Sequence, residues 1–153
     1  MKIVSVCTAD DMIHDICDIE KKCFSDPYSE TLISKDVLNT NCQCYALCIE
    51  NNVVGYYMCT TVLDEAELQR IAVDPDFRSL GIASLLMEHL IKQCVSQNIS
   101  NIYLEVRESN IPARNLYEKY KFIQTGLRKN YYRDNGENAV LYTLSLNGGD
   151  MIC

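Results

Sequence analysis

The sequence predicts one α/β domain built on a mixed, mostly antiparallel sheet with helices on both faces, in the order βααββ, then βαβα, then ββ. Three observations lead there. The 153 residues fit a single domain and can bury one core without staples. The middle of the chain alternates strand-like and helix-like hydrophobic periods, which calls for parallel strands joined by right-handed crossovers. Both ends carry consecutive strand patterns instead, which call for hairpins and antiparallel pairing.

Residues 2–7 alternate apolar and polar like a strand, and Asp10 and Asp11 open a helix with Met12, Ile13, Ile16, Ile19 and Cys23 on one side. Pro27 biases Asp26 away from helical backbone, and Ser29 can cap a second helix over residues 30–38. Residues 45–49 and 53–62 are rich in β-formers and flank Asn51-Asn52, a pair that tolerates the positive φ of a tight turn. Residues 68–73 make another strand, stopped at Asp74-Pro75, after which Ile82, Leu85, Leu86, Leu90 and Cys94 recur at helical spacing to about Gln97. Ile102, Leu104 and Val106 alternate with Tyr103, Glu105 and Arg107, and Pro112 then occupies the permitted first turn of a helix ending near Tyr120. Residues 122–127 and 139–146 finish as strands around Asp134-Asn135-Gly136. The domain is expected to span residues 1–146, with 147–153 as a frayed tail.

Composition narrows the function classes. Hydrophobic residues at 48% and charged residues at 23% are ordinary for a globular chain, without repeats or low-complexity runs. A formal charge of -7 opposes direct nucleic-acid binding, which needs a basic face, and suits an amine or basic peptide. The N-terminal residues lack an apolar signal core, and no later stretch is apolar enough to span a bilayer, so a cytoplasmic protein without membrane attachment is expected. Nine cysteines without an export signal read as reduced thiols, most of them small apolar core residues. Cys42, Cys44 and Cys48 cluster, but no second ligand pair follows and the only histidines are His14 and His89, so no metal site is expected.

The most informative segment runs from Ile71 to Ser84, a strand leading through a small-residue turn into a long helix. Ser79, Gly81 and Ala83 allow a ligand close to backbone N–H groups, and the helix start presents roughly half a positive charge to a pyrophosphate. Arg78 can add a charge-assisted contact. A plain helix N-terminus is the alternative reading of a Gly-containing turn alone. Arg78, Gly81 and Ala83 together form an Arg-x-x-Gly-x-Ala turn between strand and helix, which resembles the signature of the GCN5-related N-acetyltransferases. The resemblance implies acetyl-CoA as co-substrate. It implies that the backbone of Ile71, Ala72 and Val73 pairs with the pantetheine arm, and that Ser79, Leu80, Gly81, Ile82, Ala83 and Ser84 hold the pyrophosphate. Glycine is frequent in the family where this chain has Ser79, which makes the nest slightly tighter.

A second match begins at Asn110 and continues from Ala113 through Leu116-Tyr117-Glu118 to Phe122; it resembles the family's later Asn-to-Leu-Tyr-Glu segment and adds Asn110 to the coenzyme contacts. Without the family, Asn110 is a helix cap and Tyr117 an amphipathic helix residue. Lys121 stands where glycine usually ends that helix, at a cost of about 1 kcal/mol if the left-handed geometry is kept.

Glu105 is a carboxylate among apolar strand residues, where an unpaired charge is costly; Arg107 and Arg70 are its expected partners in a purely structural reading. Residues 104–107, 24–29 and 128–132 narrow the resemblance to the ribosomal-protein-alanine N-acetyltransferase branch. That branch implies a protein N-terminus as acceptor, the alanine of ribosomal protein S18; a monomer or weak dimer is expected, with the oligomeric state left open by the sequence. The family suggests Glu105 as base through a water and Tyr117 as the acid that protonates the thiolate, with no metal; the Val73 N–H is a candidate oxyanion donor. Tyr28, where the branch commonly has Trp, would wall a peptide channel with Tyr131 and Tyr132, while Asp64, Glu65, Glu67 and Glu108 attract the cationic N-terminus. Deprotonation at pH 7 costs roughly 1.4 kcal/mol for an α-amine near pKa 8 and about 4.6 for a lysine near 10.4, so a carboxylate base suits the α-amine. A relative acetylating a small amine or protein lysine, and a non-catalytic acyl-CoA sensor, remain open alternatives.

Overall fold

Hydrophobic period decides the elements, and the computed structural model follows that period closely over residues 1–7 and 11–147, the part of the chain it describes. The expected helix opening at Asp10, Cys153 and the tail beyond residue 147 lie outside the described residues. The order is β1 (Lys2–Ser5), α1 (Met12–Cys23), α2 (Glu30–Leu38), β2 (Cys42–Ile49), β3 (Asn52–Val62) and β4 (Glu65–Val73), then a 3-10 turn (Pro75–Phe77). It continues with α3 (Ile82–Ser96), β5 (Asn101–Arg107), α4 (Ile111–Lys119), β6 (Ile123–Arg128) and β7 (Ala139–Ser145). This is the expected βααββ, βαβα, ββ order of an α/β protein.

The seven strands are ordered β1-β2-β3-β4-β5-β7-β6. β4 and β5 pair in parallel through Ala66 and Ile102, while β1 with β2, β2 with β3, β5 with β7 and β6 with β7 pair antiparallel. The middle of the chain therefore supplies less parallel pairing than its alternation suggests. The crossover β5–α4–β6 does not end beside β5, because β7 inserts between them. β7 is largely buried and β6 mostly exposed, so the apolar strand takes the interior position and the polar one the edge.

Some boundaries move for local reasons. β4 begins at Glu65 rather than residue 68, since Ala66 and Leu68 face inward while Glu65, Glu67 and Gln69 alternate outward. β2 likewise starts earlier, at Cys42, and β1 ends at Ser5. The turn before β3 takes its positive φ at Glu50 (50°) and Asn51 (68°), one position before the expected Asn51-Asn52 pair. Asn52 is instead the first residue of β3, opposite Ile49. Lys121 adopts φ 70°, the left-handed conformation expected where glycine is usual.

Two compact units are distinguishable, Met1–Thr61 with Leu68–Ile91, and Val62–Glu67 with the chain from Lys92 onward. In the first unit Tyr56 and Met58 of β3 lie in a core cluster with Ile13, Ile16 and Ile19 of α1 and Ile33 of α2. Gly55, on the opposite face of β3, receives α3. A Cβ there would lie 3.1 Å from both Ile82 and Leu86 and 3.0 Å from the Ala72 carbonyl, so the glycine lets helix and strands approach. Alternation along β3 thus places helices on both faces. In the second unit Tyr117 of α4 packs against Phe122 and Tyr142, with ring centroids 5.8 and 5.9 Å away.

Candidate active site

The candidate coenzyme segment is positioned by hydrogen bonds around the end of β4. The Asp74 N–H donates to the Val54 carbonyl at 2.8 Å, and the Asp74 side chain caps the Pro75–Phe77 turn by accepting from the Asp76 N–H at 3.0 Å. Lys22 of α1 donates to the other Asp74 oxygen at 2.8 Å. That bond, joined by the Asp76 N–H, holds the Asp74 carboxyl below its ordinary pKa. After Arg78 the chain turns through Ser79 at φ 65° and Gly81 at φ 77°. A Cβ on Gly81 would meet nothing within 4 Å, so glycine serves conformation there and not space. The Gly81 carbonyl accepts from Leu85 at 3.1 Å as α3 begins, leaving Leu80, Gly81, Ile82, Ala83 and Ser84 as the anion-facing candidates at the helix head.

Ile71, Ala72 and Val73 close β4 as expected. The Cys23 thiol donates to the Val73 carbonyl at 3.4 Å, and the Arg78 guanidinium lies 3.7 Å from the Cys23 sulfur. In this structure Arg78 therefore rests on α1. Burial leads the causes that push the Cys23 thiol above its ordinary pKa, with Arg78 opposing.

Glu105 sits in β5, with its side chain about one quarter exposed, and pairs with Arg128 of β6 at 3.1 Å. This corrects the expected partners. Arg107 is engaged by Asp134 at 2.9 Å and Glu137 at 3.4 Å, and Arg70 lies 3.4 Å from Glu20 in the first unit. Register is the reason. Glu105 faces Leu141 of β7, Leu141 faces Gly126 of β6, and Arg128 follows two residues on, where it shares a sheet face with Glu105. Tyr131 also lies near Glu105, whose carboxylate is the leading cause raising the Tyr131 phenol. Nothing local in the sequence links residue 105 to 128; only the β5-β7-β6 order does.

Burial keeps the Tyr117 phenol far above its ordinary pKa, hence protonated, with a smaller push from Tyr132. Asn110 caps α4, accepting from the Ala113 N–H at 3.2 Å, which is its structural role. Tyr131 and Tyr132 meet edge to face at 5.2 Å, and Tyr132 also stacks on Arg107 at 4.0 Å. Tyr28 belongs to the first unit, where Arg70 stacks on its ring at 3.9 Å. Of the acidic candidates, Asp64 accepts from Ser100 at 2.7 Å, Glu65 from Tyr103 at 3.4 Å and Glu108 from Asn138 at 2.9 Å. Glu67 lies close enough to Tyr131 to raise its phenol further.

The described cysteines are all free thiols, with Cys17, Cys44, Cys59 and Cys94 buried. Burial pushes the Cys42 thiol up to about 11 and raises Cys44 as well, which keeps both as thiols. Among the described residues no three His, Cys, Asp or Glu side chains converge as metal ligands, and no helix is long and apolar enough to cross a membrane.

A β-strand running through a left-handed turn into a helix is the arrangement that the resemblance to the acetyltransferases leads one to expect. The Acetyltransferase (GNAT) family model matches residues 12–122; the chain belongs to this family and is an acetyl-CoA-dependent N-acetyltransferase. Among its relatives, the putative [ribosomal protein bS18]-alanine N-acetyltransferase of Bacillus subtilis is 32% identical over 88% of this chain and 90% of its own length. The [ribosomal protein bS18]-alanine N-acetyltransferase of Escherichia coli K12 is 34% identical over 84% and 87%. The crystal structure of the ribosomal-protein-S18-alanine N-acetyltransferase from Escherichia coli superposes with a TM-score of 0.87 at 31% identity, covering 99% of each chain. A GNAT acetyltransferase from Elizabethkingia anophelis with acetyl-CoA bound shares the fold at TM-score 0.78 and 23% identity, over 95% of this chain and 97% of its own.

Proposed function

We propose that this protein transfers the acetyl group of acetyl-CoA to the N-terminal α-amine of a protein, with the N-terminal alanine of ribosomal protein bS18 as acceptor. What carries the reading is the pair of long alignments to relatives bearing that activity in their names. The turn chemistry agrees with it. Positive φ at Ser79 and Gly81 ahead of α3 is the backbone pattern of an anion nest, which would suit a pyrophosphate. Arg78 would leave Cys23 to join that anion, and the edges of Ile71, Ala72 and Val73 would hold the pantetheine amides.

Glu105 takes a proton from the incoming ammonium through a water, leaving a neutral amine to attack the thioester carbonyl carbon. The Val73 N–H stabilises the oxyanion of the tetrahedral adduct. Tyr117, held protonated by burial, gives its proton to sulfur as the C–S bond breaks. The new amide nitrogen loses its extra proton to solvent water, the phenolate is reprotonated from solvent, and Glu105 returns its proton to solvent. Tyr131 and Tyr132 line the acceptor path with Tyr28, and Asn110 holds the start of α4 against the coenzyme.

The test is mass spectrometry of peptides beginning with Ala, Ser, Thr or Met, and of a lysine peptide with a blocked N-terminus, each incubated with acetyl-CoA and the protein. Acetylation of the alanine peptide at its α-amine is expected. Acetylation of the blocked lysine peptide alone would overturn the acceptor class and leave the family chemistry in place.

A further inference from the structure

Glu20 is a fully buried carboxylate that the transfer chemistry does not use. It sits in α1 and accepts from the Tyr28 backbone N–H at 2.8 Å and from the Tyr56 hydroxyl. Burial raises its pKa, opposed by the Tyr28 N–H and then by Arg70. Arg70 stands on β4 immediately before Ile71, its Nε 3.4 Å from a Glu20 oxygen without the alignment of a hydrogen bond, so that contact is Coulombic. Its guanidinium lies between two rings, 4.0 Å from the Phe24 centroid and 3.9 Å from Tyr28, and donates to the Asp26 carbonyl at 2.9 Å.

Tethering a loop needs only an apolar contact, whereas a buried ion pair carries a large desolvation cost. Here the pair and its neighbours fix one residue twice: Arg70 holds the Tyr28 ring and Glu20 holds the Tyr28 backbone. We propose that Arg70 is a positioning residue for the acceptor, clamping the 24–29 loop to the donor strand so that Tyr28 presents a rigid wall to an incoming peptide N-terminus. The proposal rests on the reading of Tyr28 as part of the acceptor channel. Its substrate preference follows: a bulky or branched first side chain would need the loop to yield, so the clamp favours small N-terminal residues such as alanine.

The chain contains no tryptophan, so Tyr28→Trp creates a single fluorescent reporter on the loop. Arg70→Gln in that background is expected to lower the anisotropy of the indole emission. In the natural background, Arg70→Gln and the charge-neutral pair Arg70→Gln with Glu20→Gln are each expected to raise the KM of an alanine peptide roughly 10-fold, on the order of one stacked cation and one hydrogen bond. KM for acetyl-CoA should stay within about twofold, and an N-terminal leucine peptide should gain relative to alanine. Arg70→Lys keeps the charge without the planar fork and should restore little of the peptide KM.

An unchanged peptide KM in the folded double variant overturns the clamp. A rise in both KM values together with a fall in kcat and melting temperature would also overturn it, since that marks a merely structural pair. If the natural protein acetylates no peptide, the acceptor reading fails separately. The indole anisotropy of the Tyr28→Trp reporter still decides the clamp in that case, and an unchanged value on Arg70→Gln rejects it.

Discussion

The segment from Ile71 to Ser84 and the group around Glu105 are built from different material. In the first, the groups proposed to hold the coenzyme are main-chain N–H and C=O, and side chains only permit the backbone path: Gly81 at φ 77° and Ser79 at φ 65°. In the second, the proposed function belongs to side chains, and Glu105 is paired with Arg128, which lies far along the sequence. A backbone site tolerates most substitutions that keep its dihedrals. A side-chain site fails with the loss of a single atom but tolerates changes of its neighbours that preserve register. The family's coenzyme segment is accordingly recognisable as a short motif, and its acid-base pair is not.

The largest effect should come from the side-chain region. Glu105→Gln and Tyr117→Phe are each expected to lower kcat about 100-fold, the usual scale of a lost general base or acid, with calorimetric affinity for acetyl-CoA within about twofold. Coenzyme affinity falling in step with kcat would break the contrast between the regions. In the backbone region Gly81→Val should weaken acetyl-CoA binding about tenfold, because a β-branched residue at positive φ costs roughly 1–2 kcal/mol, while kcat at saturating acetyl-CoA is retained. Arg128→Gln sharpens the side-chain half. Loss of the partner at 3.1 Å should lower kcat/KM severalfold without moving coenzyme affinity, as expected of a residue acting through Glu105.

A smaller effect is expected at Lys121, whose φ of 70° carries strain that glycine would relieve. Lys121→Gly should stabilise the protein by about 0.5–1 kcal/mol, read as a rise of a few degrees in melting temperature, with kcat unchanged. The smallest is the acid dependence of the Asp74–Lys22 bond. The folded Asp74 pKa lies below the ordinary carboxylate value of about 3.9, so its contribution is complete above that pH and is lost as pH falls through the lowered folded value. Asp74→Asn should remove that part of the acid limb in urea titrations between about pH 5 and 2, the window around and below the ordinary value. Lys22 is half-exposed, and salt should screen the effect.

Legibility in the sequence follows the same division. Helix α2 has the bounds its sequence predicts because Ser29 caps it, accepting from the Leu32 N–H at 3.1 Å, a purely local event. The Lys121 geometry is likewise visible, because a helix end is settled within a turn. The hairpin before β3 shifts by one residue, since Glu50 and Asn51 carry the turn and a bulge at Leu47/Cys48 resets the register, which alternation alone does not show. Arg107 and Arg70 suggest themselves as partners of Glu105 because they are near in sequence or share its sheet; both arginines serve other carboxylates.

By itself the sequence determined the element order, the glycine-containing turn before α3 and the family, because hydrophobic period, caps and helix starts are set by residues a few places apart. Tertiary structure alone decided that β7 lies between β5 and β6, that Arg128 meets Glu105, and that Arg70 reaches Glu20, Phe24 and Tyr28. Those contacts depend on which strands become neighbours, and that choice minimises exposed apolar surface over the whole sheet, a sum that no short stretch of residues contains.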